Sequence, residues 1–278
     1  MKRKRYPEDH WIRSEHIEKA LQTYTDQQSK AYSIIKNMFI MELLGDLKGK
    51  RFLDYGCGAG MFLVYAARLG AARIVGVDAE ETVLSMARYL TEKEGVQDKC
   101  EFVVSERWPA FQPEASFDVI LLKDVIEHIE DDQGLLDAAA QNLAPEGVLT
   151  VSTQNAFSLN YLIEGMYHRV VRCQKDWYGW DSTHLRFYTP RSLKKKLQKA
   201  GLKPFAWRST YIIPHKFPAL PSSGKQFHRI ESLARIDTLL GSVFPWSYLG
   251  WNIIVKATKE TKPTTNGQNP RRWPGKDL

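Results

Sequence analysis

From Arg51 onward the chain alternates short apolar runs with helical segments, and that alternation restricts it to a parallel sheet covered on both faces. The runs are Arg51 to Tyr55, Arg73 to Val77, Glu101 to Val104, Phe117 to Leu122 and Gly147 to Ser152. Between them, Met61 to Leu69, Glu81 to Glu94 and Asp131 to Leu143 have the lengths and periodicities of crossover helices, and Gly70, Gly95 and Pro145 punctuate their ends. Two further strands are expected at Leu202 to Tyr211 and Trp251 to Ala257. They follow a helix over Pro190 to Ala200, which opens on the start signal Thr189-Pro190. The expected fold class is therefore α/β: a seven-stranded, mostly parallel, doubly wound sheet with helices on both faces.

The first fifty residues read as helical, with Ile17, Ala20, Leu21 and Tyr24 at helical spacing and a second apolar stretch from Ser29 to Leu44. The expected organisation is an N-terminal helical cap over 1–48 and a main domain over 49–260. Aromatic, helical insertions fall at about 155–181 and 214–248, and a polar tail over 261–278 is expected to be disordered. At 278 residues and 43% hydrophobic, the chain can bury a large core. Its three cysteines, Cys57, Cys100 and Cys173, form no CxxC pair, which argues against a disulfide framework or a structural zinc and fits a reducing cytosol. No apolar run reaches the roughly 18 to 20 residues that span a bilayer, and Lys2 to Arg5 lead into no hydrophobic signal core. The expectation is a cytoplasmic protein. A net charge of +7 favours anionic partners without choosing among nucleic acid, headgroups and phosphorylated substrates.

After the first strand stands Asp54-Tyr55-Gly56-Cys57-Gly58-Ala59-Gly60. Glycines at 56, 58 and 60 let a backbone turn tightly and approach a ligand, and the helix behind them offers its N–H groups. The spacing fits neither nucleotide motif: Met61 stands where G-x-G-x-x-G wants glycine, and the Lys-Ser/Thr pair of a phosphate-binding loop is missing. With Asp78 ending the second strand and Phe117-Asp118-Val119-Ile120 opening the fourth, the chain from about Arg51 to about Leu202 resembles the class I, Rossmann-like S-adenosylmethionine-dependent methyltransferases. That resemblance implies S-adenosylmethionine as cofactor, leaving S-adenosylhomocysteine as product.

It also implies roles. The backbone of Gly56, Cys57, Gly58 and Gly60 would cradle the cofactor, and Asp54 would orient its ammonium end. Asp78, beside Ala79, would accept both ribose hydroxyls. Glu106, beside Arg107, aligns with the family's contact to the adenine amino group, and Lys123 would lie along the methionine portion. Lys123 to Glu130 resembles the family's strand end followed by the Glu-His signature of small-molecule methyltransferases, which sets His128 toward the transferred methyl.

Ser152-Thr153-Gln154-Asn155 and the block Asp181 to Leu193 resemble the ubiquinone-biosynthesis O-methyltransferases and their relatives. In that block His184 and Arg186 either project over the pocket or brace the loop against the sheet. Methyl transfer to a hydroxyl needs a base, and His128 and His184 are the candidates because imidazole titrates near neutral pH. No metal is required, although Asp124, Glu127 and His128 stand close enough in sequence to take a divalent ion.

The leading expectation is methylation of a hydroxyl, with an amine as second choice, on a small or lipid-like acceptor. The aromatic and basic insertions either pack as lid helices or lie at a membrane interface as a peripheral contact. The runner-up is an RNA methyltransferase, motivated by the basic helix Arg191, Lys194, Lys195, Lys196 and Lys199. A third reading, a catalytically silent partner subunit, is opposed by the intact glycine turn and Asp78.

Overall fold

The computed structural model describes residues 16–105, 116–179, 183–213, 216–218, 227–229 and 231–260. Within them lies one sheet of seven strands: β1 (Arg51–Tyr55), β2 (Arg73–Asp78), β3 (Cys100–Val104), β4 (Phe117–Lys123), β5 (Leu143–Gln154), β6 (Leu202–Thr210) and β9 (Asn252–Lys259), in the order β3-β2-β1-β4-β5-β9-β6. The first five pair in parallel, and β9 runs antiparallel to both β5 and β6. Every strand predicted from the apolar runs is present. The structure adds a two-stranded hairpin, β7 (Lys216–Pro218) with β8 (Phe227–Arg229), where the sequence suggested only helix. β5 also starts earlier than expected, at Leu143, and its register against β4 slips between Phe117 and Val119. Pro145, read above as a helix terminator, lies inside that irregular stretch.

Alternate residues of each strand face opposite sides, so the sheet has two cores. On one side Leu53, Ile120, Val151 and Val255 pack with Leu135 and Leu136 of α5 (Asp132–Asn142) and with Leu193 and Leu197 of α7 (Pro190–Lys199). On the other, Phe52, Ile74, Leu121 and Ile254 meet Ile35, Phe39 and Ile40 of α2 (Ala31–Leu44), Phe62 and Leu63 of α3 (Met61–Arg68), and Leu84 of α4 (Glu81–Lys93). Helix α7 starts as its sequence predicts: Thr189 accepts from the Ser192 N–H, Ser192 answers the Thr189 N–H, and Pro190 takes the first turn.

Helix α1 (Ile17–Gln28) lies outside the sheet layers. Its Ala20, Leu21 and Tyr24 pack on Ala59 of the glycine turn and on Val83 and Met86 of α4. Two helices from the late insertions complete the described residues: α6 (Leu159–Met166), continued by a π-helical turn over Tyr167–Val171, and α8 (Glu231–Gly241). Among the described residues no helix is long and apolar enough to cross a membrane.

Candidate active site

The strand order reverses at β1, with β2 and β3 on one side and β4 and β5 on the other. Ligands of open α/β sheets sit at the carboxyl ends of strands at such a point. There the glycine turn folds back over β2, its Gly56 and Cys57 N–H groups donating to the Val77 carbonyl at 2.7 and 3.0 Å. Gly56 has a φ of 75°, and a Cβ on it would stand 2.3 Å from Val125 Cγ2. Gly60, the N-cap of α3, has a φ of 84°, and a Cβ there would press on Ala87 at 3.0 Å. Neither position tolerates a side chain, because the turn must be left-handed and thin. Cys57 points inward and is buried, which raises its thiol pKa, so only its backbone faces the turn.

Asp78 closes the far side of the cradle. Its Oδ2 accepts the Gly58 N–H at 3.1 Å and its Oδ1 the Glu80 N–H at 3.3 Å. Burial raises its pKa in spite of those bonds, and each oxygen retains a second lone pair for a hydroxyl. Ala79 is half-buried beside it. Glu106 and Arg107, expected at the adenine, lie outside the described residues.

Across the crevice Asp54 is buried at 2% exposure, and its Oδ1 has no hydrogen-bond partner among the described residues. Burial, opposed by the nearby Lys123 ammonium, pushes its pKa up to about 7. Burial likewise brings Lys123 down to about 8, with Lys36 adding to the fall and Asp124 and Asp54 resisting it. The Lys123 ammonium stands 5.8 Å over the Phe62 ring. Asp124, at a left-handed φ of 54°, is held by Ser152 Oγ at 2.9 Å and by an ion pair with Lys36 of α2. The two lysines keep its carboxyl far below the usual carboxylate range despite burial.

The turn after β4 carries one candidate base, His128, and the segment before α7 brings up the other, His184. His128 and His184 lie edge to face, ring centroids 4.7 Å apart, and Thr183 Oγ1 is 3.5 Å from His128 Nδ1. The Leu185 N–H donates to the Glu127 carbonyl at 2.9 Å, tying the two segments together. Glu127 is buried. Its Oε2 accepts from Thr153 Oγ1 at 2.9 Å, Oε1 has no partner among the described residues, and burial beside the Asp124 charge lifts its pKa to about 8. Donor atoms of Glu127, His128 and His184 lie within 4.8 Å of one another, and this trio is where a metal ion can be held.

Of the two positions left open for Arg186, the structure has the bracing one. Its guanidinium donates to the Ile129 and Glu130 carbonyls at 2.9 and 3.0 Å and pairs with Asp132 at 3.0 Å. His184, in contrast, meets His128. From it an aromatic chain runs outward through Phe187, at 5.5 Å, to Tyr161 of α6, at a further 5.2 Å.

Sequence reasoning missed Lys36. Lys36 had left a signal, because it stands among Ile35, Phe39 and Ile40 on the buried side of α2, where a lysine needs a partner.

Fold and site define a class, the Rossmann-like S-adenosylmethionine-dependent methyltransferases. A family model for the methyltransferase domain matches residues 28–206, and the chain belongs to that family. The chain is 36% identical over 159 residues to a ubiquinone biosynthesis O-methyltransferase of Dinoroseobacter shibae, a match covering 56% of this chain and 61% of the relative. A protein of the same name from Bordetella pertussis is 31% identical over 178 residues, 63% of this chain and 71% of the relative. The chain thus spans less than two thirds of the length of the Dinoroseobacter relative.

A methyltransferase of Mesorhizobium loti shares the fold, with a TM-score of 0.54, 17% identity and coverage of 83% and 98% of the two chains. So does a magnesium protoporphyrin IX methyltransferase of Synechocystis with bound S-adenosylhomocysteine, with a TM-score of 0.55, 13% identity and coverage of 87% and 94%. S-adenosylmethionine is the cofactor, and the residues present fit it. The side-chain-free turn admits its backbone approach, and the unpartnered Asp54 oxygen in a buried crevice matches its ammonium.

Proposed function

We propose that this protein methylates a hydroxyl oxygen of a small, lipid-like acceptor, with Asp54, the glycine turn, Asp78 and Lys123 holding the cofactor and His128 or His184 receiving the acceptor's proton. The bound cofactor supplies a methyl group already electrophilic on a sulfonium, so the protein's work is positioning and proton removal. The observation that carries the reading is the imidazole pair, His128 from the turn after β4 and His184 from the segment before α7, with ring centroids 4.7 Å apart. His184 is buried and His128 half-buried, so a proton taken there is shielded from bulk water. Thr183 orients one ring, and Glu127 holds a further proton next to it. The resemblance to ubiquinone-biosynthesis enzymes supports oxygen over nitrogen as the accepting atom.

The test is turnover with S-adenosylmethionine on hydroxylated aromatic and lipid extracts. His128→Ala and His184→Ala are expected to lower kcat at least tenfold in one or both variants while cofactor affinity holds. Full rate in both variants removes the imidazoles from the reaction.

The second reading, RNA as acceptor, rests on the exposed Arg191, Lys194, Lys195 and Lys199 of α7. RNA binding that weakens steeply with salt, together with methyl incorporation into RNA, selects it.

A peripheral membrane contact also belongs to this proposal. Helix α6 buries Tyr161 and Gly165 but leaves Ile163 and Met166 63% and 64% exposed, with Val170 and Val171 following and exposed Arg169, Arg172 and Lys175 alongside. Apolar side chains flanked by cations fit an anionic bilayer surface. Co-sedimentation with phosphatidylglycerol vesicles, lost in Ile163→Asp/Met166→Asp, is the expected result; no sedimentation contradicts it.

A further inference from the structure

The cap brings one side chain onto the glycine turn. Tyr24 lies on the buried face of α1, 8% exposed, where that helix rests on Ala59 of the glycine turn. Burial raises the pKa of its hydroxyl, and Asp54, Cys57 and Asp124 add to that rise. Asp54 belongs to the end of β1 and Asp124 follows β4. These two strands are neighbours where the strand order reverses, and Ala59, with which Tyr24 packs, belongs to the turn that leaves β1 at that point.

With adenosine held at Asp78 beyond β2, the ammonium at Asp54 and the methyl directed to His128 after β4, the sulfur that joins these parts would lie near the β1–β4 junction, on the side where α1 rests on the glycine turn.

We propose that Tyr24 is a cofactor-contacting residue that reads the positive charge on sulfur and so separates the donor from its spent product. A sulfonium carries no proton on sulfur and is met by π density and by oxygen lone pairs, both of which a phenol offers. Asp124 is already engaged by Lys36, and Lys123 stands by Asp54, so a neutral, electron-rich group adds cation recognition without burying another charge. The product is a thioether with no charge, and Tyr24 gives it only van der Waals contact. The inference rests on the cofactor site assigned to the glycine turn and Asp78.

Calorimetry with S-adenosylmethionine and S-adenosylhomocysteine on the full chain separates the possibilities. Tyr24→Leu is expected to weaken donor binding about tenfold and product binding less than about twofold, with Tyr24→Phe in between. Leu21→Ala, which loosens α1 on the turn without touching the phenol, is expected to move both affinities by the same factor. Asp78→Ala is expected to weaken both equally. An unchanged donor-to-product ratio in both Tyr24 variants, with Asp78→Ala weakening both ligands, overturns the Tyr24 role and leaves the site standing. Unchanged binding in Asp78→Ala overturns the site and this inference with it. Tyr24→Phe preserves the packing of α1 and supplies the answer should Tyr24→Leu unfold.

Discussion

Two buried carboxyls give the site its pH behaviour. Asp54 titrates at about 7 because burial penalises its charge, and a cationic ammonium placed against it reverses that penalty. Cofactor binding should therefore tighten as pH rises from about 6 to 8 and release a proton. Calorimetry in buffers of different ionisation enthalpy measures that proton, and Asp54→Asn should abolish both effects. Glu127 adds a stability signature. Its folded pKa of about 8 lies above the value of 4.5 for a free side chain, so the folded state binds a proton that the unfolded chain has lost. The resulting stabilisation is complete below pH 4.5 and drains away as pH climbs through 8. The apo-protein's melting temperature should fall between about pH 5 and 8, and Glu127→Gln should flatten that fall. A rising curve contradicts the buried, protonated Glu127.

At the scale of elements, the turn after β4 is locked from outside the pocket. Asp132, 7% exposed, receives Tyr188 Oη at 2.6 Å and Lys196 Nζ at 2.8 Å and pairs with Arg186, so one carboxylate joins α5, α7 and the segment behind His184. Asp132→Ala strands two half-buried cations and should cost about 2 kcal/mol in chemical denaturation. Its effect on cofactor affinity should be slight, because the side chains that Asp132 holds are Arg186, Tyr188 and Lys196, none of them a residue proposed to hold the cofactor. A change confined to affinity, with stability intact, contradicts this division.

The elements themselves were legible in the sequence, since apolar period and glycine punctuation report local burial directly. The strand ends and turns that carry Asp54, the glycines, Asp78, Lys123 and His128 were legible for the same reason, whereas the roles proposed for these residues and for His184 come from the resemblance to methyltransferases. The relevance of Tyr24 and Lys36 was not legible, because it depends on how α1 and α2 dock, and docking leaves no local period. Arg186 shows the same limit, since its two orientations differ only in tertiary partners. The β7–β8 hairpin escaped because three-residue strands carry too few positions for a period-two signal.

For the molecule as a whole, one sheet separates two cores and gathers its chemistry at one rim. The residues proposed to hold the cofactor stand at the ends of β1, β2 and β4, His128 lies in the turn after β4 against His184, and α6 carries an exposed apolar and cationic face. The aromatic chain from His184 through Phe187 to Tyr161 links that outer face to the proposed base. The account depends on the nucleoside lying between the glycine turn and Asp78. A crystal grown with S-adenosylhomocysteine tests it most directly. The account predicts ribose hydroxyls within hydrogen-bonding distance of the Asp78 carboxylate, the amino group on Asp54, and sulfur beneath the Tyr24 ring. A nucleoside bound elsewhere, or a turn filled by protein side chains with the ligand excluded, contradicts it.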